Sequence, residues 1–236
     1  MALGFSLWCN IHISMVAHWN SNCMKQGAMS VNRASVWRRS LRPLAVLIAM
    51  ASATAVWAQA DEARARKIAN GTCFMCHGEN GESTSEIFPR LAGQNAEYLA
   101  KQLKAFKTGE RKSTAMAEMV AKLTDDEMIA LGRYYEKMPA VREEAKDPQL
   151  ALVGKYIYHN GNKFSGVPAC SSCHGADGYG TASLPRLSGQ LSSYLFTQLK
   201  QFNKRQRTND NVVMHTVAEK MTEFEMAAVA EYLSSK

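Results

Sequence analysis

The chain has 236 residues, with 28 basic and 21 acidic side chains and a formal net charge of +7. The excess lies at its beginning: residues 1–60 hold Lys25, Arg33, Arg38, Arg39 and Arg42 and no acid, which leaves 23 basic against 21 acidic residues beyond them. A body so close to neutral gives no reason to expect nucleic acid as a partner.

Taken in chain order, the first 28 residues fit no export pattern, and Met24 and Met29 are alternative translation starts. The basic WRRSLR at 37–42 then precedes an apolar run, Leu44 to Ala58, which ends in Ala58-Gln59-Ala60. Charged, apolar and small residues in that order read as a secretory signal peptide. The run has about fifteen residues, short of the ~20 needed for a membrane span. Residues 1–60 are therefore read as a signal peptide with an over-extended N-terminus. Retention as an uncleaved anchor is the alternative, and peripheral membrane association is a further expectation left open.

Beyond the leader the cysteines are Cys73, Cys76, Cys170 and Cys173. In an exported protein, four cysteines first suggest two disulfides, but the chain repeats itself around them. CFMCHG (73–78) returns as CSSCHG (170–175), PRLAGQ (89–94) as PRLSGQ (185–190), YLAKQLKAF (98–106) as YLFTQLKQF (194–202), and LTDDEM (123–128) as MTEFEM (221–226). The offsets run from 96 to 98, and four blocks in one order mark an internal duplication. Each copy is about 85 residues, and the charged, proline-bounded stretch Pro139–Pro148 reads as a linker.

Within each copy the periodicity is helical. Asp61–Asn70 and Gln149–His159 lead into the cysteine motifs, Tyr98, Leu99, Leu103 and Phe106 form a stripe echoed by Tyr194, Leu195, Leu199 and Phe202, and Thr124/Glu127 and Thr222/Glu225 form capping boxes for a last helix. No segment alternates as a strand would. Domains this small bury a modest core, and their long loops, 78–93 and 175–189, call for something else at the centre.

Cys-x-x-Cys-His is the attachment pattern of c-type haem: two thiols form thioethers with the vinyl groups and the adjacent histidine ligates the iron. Zinc also accepts such pairs, but a shared tetrahedral site would break the independence of the copies. A thioredoxin-like dithiol expects a βαβ setting, which is absent. The expectation is two covalently bound haem c groups, held by Cys73 and Cys76 and by Cys170 and Cys173, with His77 and His174 as axial ligands.

On these motifs the chain resembles the dihaem class I c-type cytochromes, most closely the cytochrome c4 family, over nearly all of residues 61–236. The resemblance implies an all-α fold of two tandem cytochrome c-type domains, at 61–140 and 149–236 with a linker at 141–148. It implies periplasmic electron transfer in a bacterium, with His/Met coordination at both irons. It also implies that the carbonyls of Pro89 and Pro185 accept from the axial histidines, a bond that orients the imidazole.

The duplication chooses the methionines. Met116 lies eight residues before Thr124, and Met214 eight before Thr222, whereas Met119 corresponds to Val217. Met128 and Met226 also match but lie on the apolar stripe of the last helix. Met116 and Met214 are therefore the expected iron ligands, with His215 a competitor beside Met214, while His159 reads as a surface or cap residue.

The functional expectation is an electron carrier rather than an enzyme, working between partners such as a cytochrome bc complex and a terminal oxidase. The alternatives are the cytochrome subunit of a larger dehydrogenase and a dihaem peroxidase-like enzyme. Residues 61–147 carry 14 basic and 15 acidic side chains and residues 148–236 carry 9 and 6, a charge asymmetry suited to orienting the protein at its partners.

Overall fold

Thr124 and Thr222 set the start of the last helix in each copy. Each hydroxyl accepts from the backbone N–H three residues on, and Glu127 or Glu225 reaches back to the threonine's own N–H. Two of the helix's unpaired donors are thereby satisfied reciprocally. The structure, a computed structural model, describes Gln59 and residues 61–236. The leader reading of 1–60 falls, apart from Gln59, outside the described residues.

The first helix, α1, covers 61–68. A π-turn, Ala69–Cys73, carries it into α2 (Phe74–His77), so the first cysteine motif ends a helix. Then come α3 (Ala96–Thr108), α4 (Thr114–Val120) and α5 (Asp125–Glu136). The second copy repeats the order with α6 (Pro148–Asn160), α7 (Ser171–His174), α8 (Ser192–Asn203), α9 (Val213–Ala218) and α10 (Glu223–Ser234). No strand occurs among the described residues, where an isolated antiparallel bridge joins Asn162 to Val167. The all-α expectation holds. Among the same residues no helix is long and apolar enough to cross a membrane.

Each copy has its own apolar cluster. In the first, Ala65, Ala69, Leu99, Leu131, Tyr134 and Tyr135 close α1, α3 and α5 on one another. In the second, Ile157, Tyr158, Leu195, Met226, Val229 and Leu233 do so for α6, α8 and α10. Met128 and Met226 are both buried, Met226 within the second cluster, as the stripe predicts. Small residues allow the closest crossings. A Cβ on Gly154 of α6 would overlap the Ala228 carbonyl of α10, and one on Gly132 of α5 would overlap the Ala96 carbonyl.

The segment 139–147 carries no helix, yet it is tied down. The Val141 N–H donates to Glu82 and the Asp147 N–H to the buried Glu231 of α10. The Glu143 carboxylate pairs with Arg90, itself buried.

The repeated PRL(A/S)GQ blocks join the copies to one another. Gln94 Nε2 donates to the Arg186 carbonyl at 2.8 Å and its Oε1 accepts from the Arg186 N–H at 2.7 Å. Gln190 does the same to Arg90, at 2.9 Å for both bonds. Equivalent residues exchange equivalent bonds, as across a two-fold axis. The signal for these glutamines was their recurrence in register, which apolar periodicity does not detect.

Two predictions follow from this packing. Gly154→Ala should destabilise the protein by about 3 kcal/mol, the upper end for overpacking where the obstacle is backbone, seen as a lower denaturant midpoint. Gln94→Ala and Gln190→Ala should each cost about 2 kcal/mol, since each strands a buried N–H and C=O of the other copy. Loss at one glutamine only, in equilibrium denaturation, would break the equivalence.

Candidate haem-binding site

Both cysteine motifs open onto one cavity of about 1460 Å³, lined by residues of both copies. Its walls are largely apolar, and the stripe residues Leu103, Phe106, Leu199 and Phe202 face it. Protein interiors are packed at crystal-like density, so a space this large and apolar suits large apolar groups. All eight predicted site residues line it: Cys73, Cys76, His77 and Met116 from the first copy, and Cys170, Cys173, His174 and Met214 from the second.

The local fold delivers the cysteine motifs. The short helical turns α2 and α7 carry the second cysteine and the histidine of each copy, and the chain leaves them at Gly78 and Gly175 with φ of +75° and +78°. A side chain at Gly78 would be strained by that conformation and would meet the Glu82 carbonyl. The four thiols are free, Cys73 and Cys170 partly buried and Cys76 and Cys173 exposed. Burial pushes the Cys73 thiol up, and Cys170 up to about 11. Among the described residues no three His, Cys, Asp or Glu side chains converge as a zinc cluster would require.

His77 and His174 are buried, and burial holds both imidazoles below their ordinary pKa and therefore neutral at pH 7. His77 Nδ1 lies 2.9 Å from the Pro89 carbonyl. A carbonyl can only accept, so the proton is on Nδ1 and the Nε2 lone pair is free for a metal. In the second copy the Pro185 carbonyl acts on His174 in the same sense, raising its pKa against burial, but it meets His174 Nδ1 outside hydrogen-bond geometry. The loop from His174 to Pro185 is one residue shorter than its counterpart.

The methionine segments differ as well. Ser113 caps α4 by accepting from the Met116 N–H, so the cap bears on the expected ligand itself. In the second copy the capping position of α9 is Val212, in the left-handed region at φ +72° with no side-chain cap. A β-branched residue there is strained. Support comes instead from Asp210, which accepts from the His215 N–H. Met119 also lines the cavity but is 45% exposed, whereas Met116 is half-buried. His215 does not line it: Nδ1 lies 2.9 Å from the Phe202 carbonyl and Nε2 3.5 Å from Glu219. His159 is engaged with Tyr232 at 3.0 Å.

The sequence reading missed a second set of cavity residues. Tyr98 and Tyr194, read as members of an apolar stripe, point polar ends to the junction of the copies, with Gln102, Gln198, Arg111 and Arg207 around them. All three pairs recur 96 residues apart, and that recurrence was the available signal.

The family model for cytochrome c matches the chain twice, over residues 62–160 and 154–236. The chain is 43% identical to a cytochrome c4 of Thiocapsa roseopersicina over 179 residues, covering 74% of this chain and 90% of that one. It is 33% identical to a thiosulfate dehydrogenase electron acceptor of Thiomonas intermedia (strain K12) over 204 residues, covering 84% and 94%. The crystal structure of reduced recombinant cytochrome c4 from Pseudomonas stutzeri superposes with a TM-score of 0.69 at 34% identity, covering 74% of this chain and 97% of that one.

Proposed function

The chain belongs to the cytochrome c4 family, electron carriers with two covalently bound haem c groups, and on that footing we propose which residues hold and tune each haem. Cys73 and Cys76 would hold the first through thioethers, with His77 and Met116 as the residues that would ligate its iron. Cys170 and Cys173 would hold the second, with His174 and Met214. The single observation that carries this assignment is that all eight side chains line one cavity. The domains are those of the sequence reading, 61–140 and 149–236 joined by 141–148.

The bound haem supplies the one-electron ferric/ferrous couple, and the protein supplies burial, orientation and closure of the metal. His77, neutral and held through Nδ1, offers a fixed Nε2 lone pair. The Met116 thioether would complete the ligand set with His77, which would raise the potential and deny the metal to oxygen and peroxide. The apolar walls exclude water and keep the reorganisation that accompanies electron transfer small. The two ligand sets are not equally supported: the Pro185 carbonyl meets His174 outside the geometry in which Pro89 meets His77, and Met214 follows a strained Val212 where Met116 has a serine cap. A less firmly oriented imidazole is the weaker donor, so the two irons should have distinct potentials.

The proposal places this chemistry in the bacterial periplasm after export by the leader, with partners such as a cytochrome bc complex and a terminal oxidase. A second reading rests on the relatives named thiosulfate dehydrogenase electron acceptor: here too a sulfur-oxidising dehydrogenase would be the electron donor. Rapid reduction by such a dehydrogenase plus thiosulfate, compared with a quinol-oxidising complex, would separate the two.

Visible and near-infrared spectra with a redox titration test the ligands. The wild type should show two haems, sulfur-to-iron bands at both irons and little carbon monoxide binding when reduced. Met116→Ala should abolish one band and admit carbon monoxide at that iron, while Met119→Ala should abolish none; the reverse pattern would overturn the choice of Met116.

A further inference from the structure

Two guanidiniums are buried at the junction of the copies without a carboxylate. Arg111 and Arg207 are 9% and 7% exposed and both line the cavity. Each lies over a phenyl ring of its own copy, Arg111 at 4.6 Å from the centre of Phe106 and Arg207 at 4.5 Å from that of Phe202. Each then reaches across. Arg111 donates to the Tyr194 hydroxyl at 2.8 Å and to Gln198 at 2.9 Å, while Arg207 donates to the Tyr98 hydroxyl at 3.0 Å and to Gln102 at 3.2 Å. Gln102 also accepts from Arg111 and Gln198 from Arg207, both at 2.8 Å, which interlocks the two arginines.

All of these acceptors are neutral. Among the described residues Arg90, equally buried, pairs with Glu82 and Glu143, but no ion pair involves Arg111 or Arg207. Asp210 is the acid that acts on Arg207, and it is the weakest of the influences there; its carboxylate already accepts from the His215 N–H. Tyr194 reports the resulting field. Burial pushes its phenol up, yet Arg111 and Arg207 outweigh burial and hold it below its ordinary value. A guanidinium cannot shed its proton, and a buried cation facing only neutral dipoles is costly unless an anion joins it. A haem brings two carboxylates, its propionates, as its only charged periphery, and the fork of an arginine matches a carboxylate.

We infer that Arg111 and Arg207 are fixed counter-charges for propionates of the two haems at the junction of the copies, and that, because each reaches into the other copy, each sets the potential of both irons. This rests on the haem assignment above. A nearby positive charge favours the ferrous state, which carries one positive charge fewer, and it keeps a carboxylate ionised to lower pH.

The test is a spectroelectrochemical pH series on the purified dihaem protein, in chloride and in phosphate buffer, with haem counted independently by its pyridine derivative. In the wild type both potentials should be flat from about pH 5 to about pH 7, because paired propionates stay ionised there; a slope through that range would overturn the proposal without any variant. Arg111→Gln and Arg207→Gln should each lower both potentials. The reduction equilibrium should shift on the order of tenfold at the more affected iron, the size expected for one unit charge at the edge of a buried site, and a pH dependence should appear in the formerly flat range. Arg111→Lys, which keeps the charge, should restore most of the potential.

Unmoved potentials with full haem content, or a change confined to thermal stability, would leave the arginines a merely structural role. A shift at one iron alone would refute the crossed arrangement. Wild-type potentials that differ between chloride and phosphate would identify the anion as an exchangeable one and refute the propionates. A wild type that binds no haem would instead refute the assignment on which this inference stands.

Discussion

A unit of about 85 residues buries only a modest apolar core of its own, and the arrangement of this protein follows from that limit. The helices of each copy meet along one edge, where small residues such as Gly132 and Gly154 let backbones touch. On the other side they stand apart around the cysteine motifs. Leu103, Phe106, Leu199 and Phe202 lie on helical stripes that ordinarily mark core, and here they line the cavity as well, with Phe202 also part of the second cluster. A covalently attached macrocycle is a fitting answer, because thioether bonds place it next to the backbone whatever the strength of the surrounding packing.

Duplication turns this local solution into a two-centre one. The same short block, PRL(A/S)GQ, supplies a carbonyl at the histidine, an arginine whose backbone pairs across the junction, and the glutamine that pairs with its counterpart. Because equivalent residues exchange equivalent bonds, one block serves both sides of the contact. The polar pairs Tyr98/Tyr194, Gln102/Gln198 and Arg111/Arg207 extend the same symmetry along the cavity. A buried polar network of this kind favours one geometry only when its members are satisfied, so the junction fixes how the two copies sit against one another.

The copies have nevertheless diverged where ligands are oriented. His77 is held by the Pro89 carbonyl and Met116 by a serine cap, whereas the Pro185 carbonyl meets His174 outside hydrogen-bond geometry and Met214 follows a valine in the left-handed region. Two centres of one design with unequal support are suited to carrying electrons at two different potentials.

The amino-acid sequence by itself determined the all-α class, the duplication, the capping boxes at Thr124 and Thr222, and the eight residues expected around the haems. Each of these is written in local spacing: Cys-x-x-Cys-His within five residues, a cap within four, a helix face within eleven. The register of the two copies also favours Met116 over Met119 as the expected ligand, a preference cavity lining alone does not give, since both face it. Only the tertiary structure decided that Tyr98 and Tyr194 turn their hydroxyls to a junction rather than their rings to a core. Only there did His215 prove engaged by the Phe202 carbonyl. The reason is physical. Periodicity records which face of a helix is apolar, but the partner of a buried polar atom lies about a hundred residues away and is fixed by how the two copies pack.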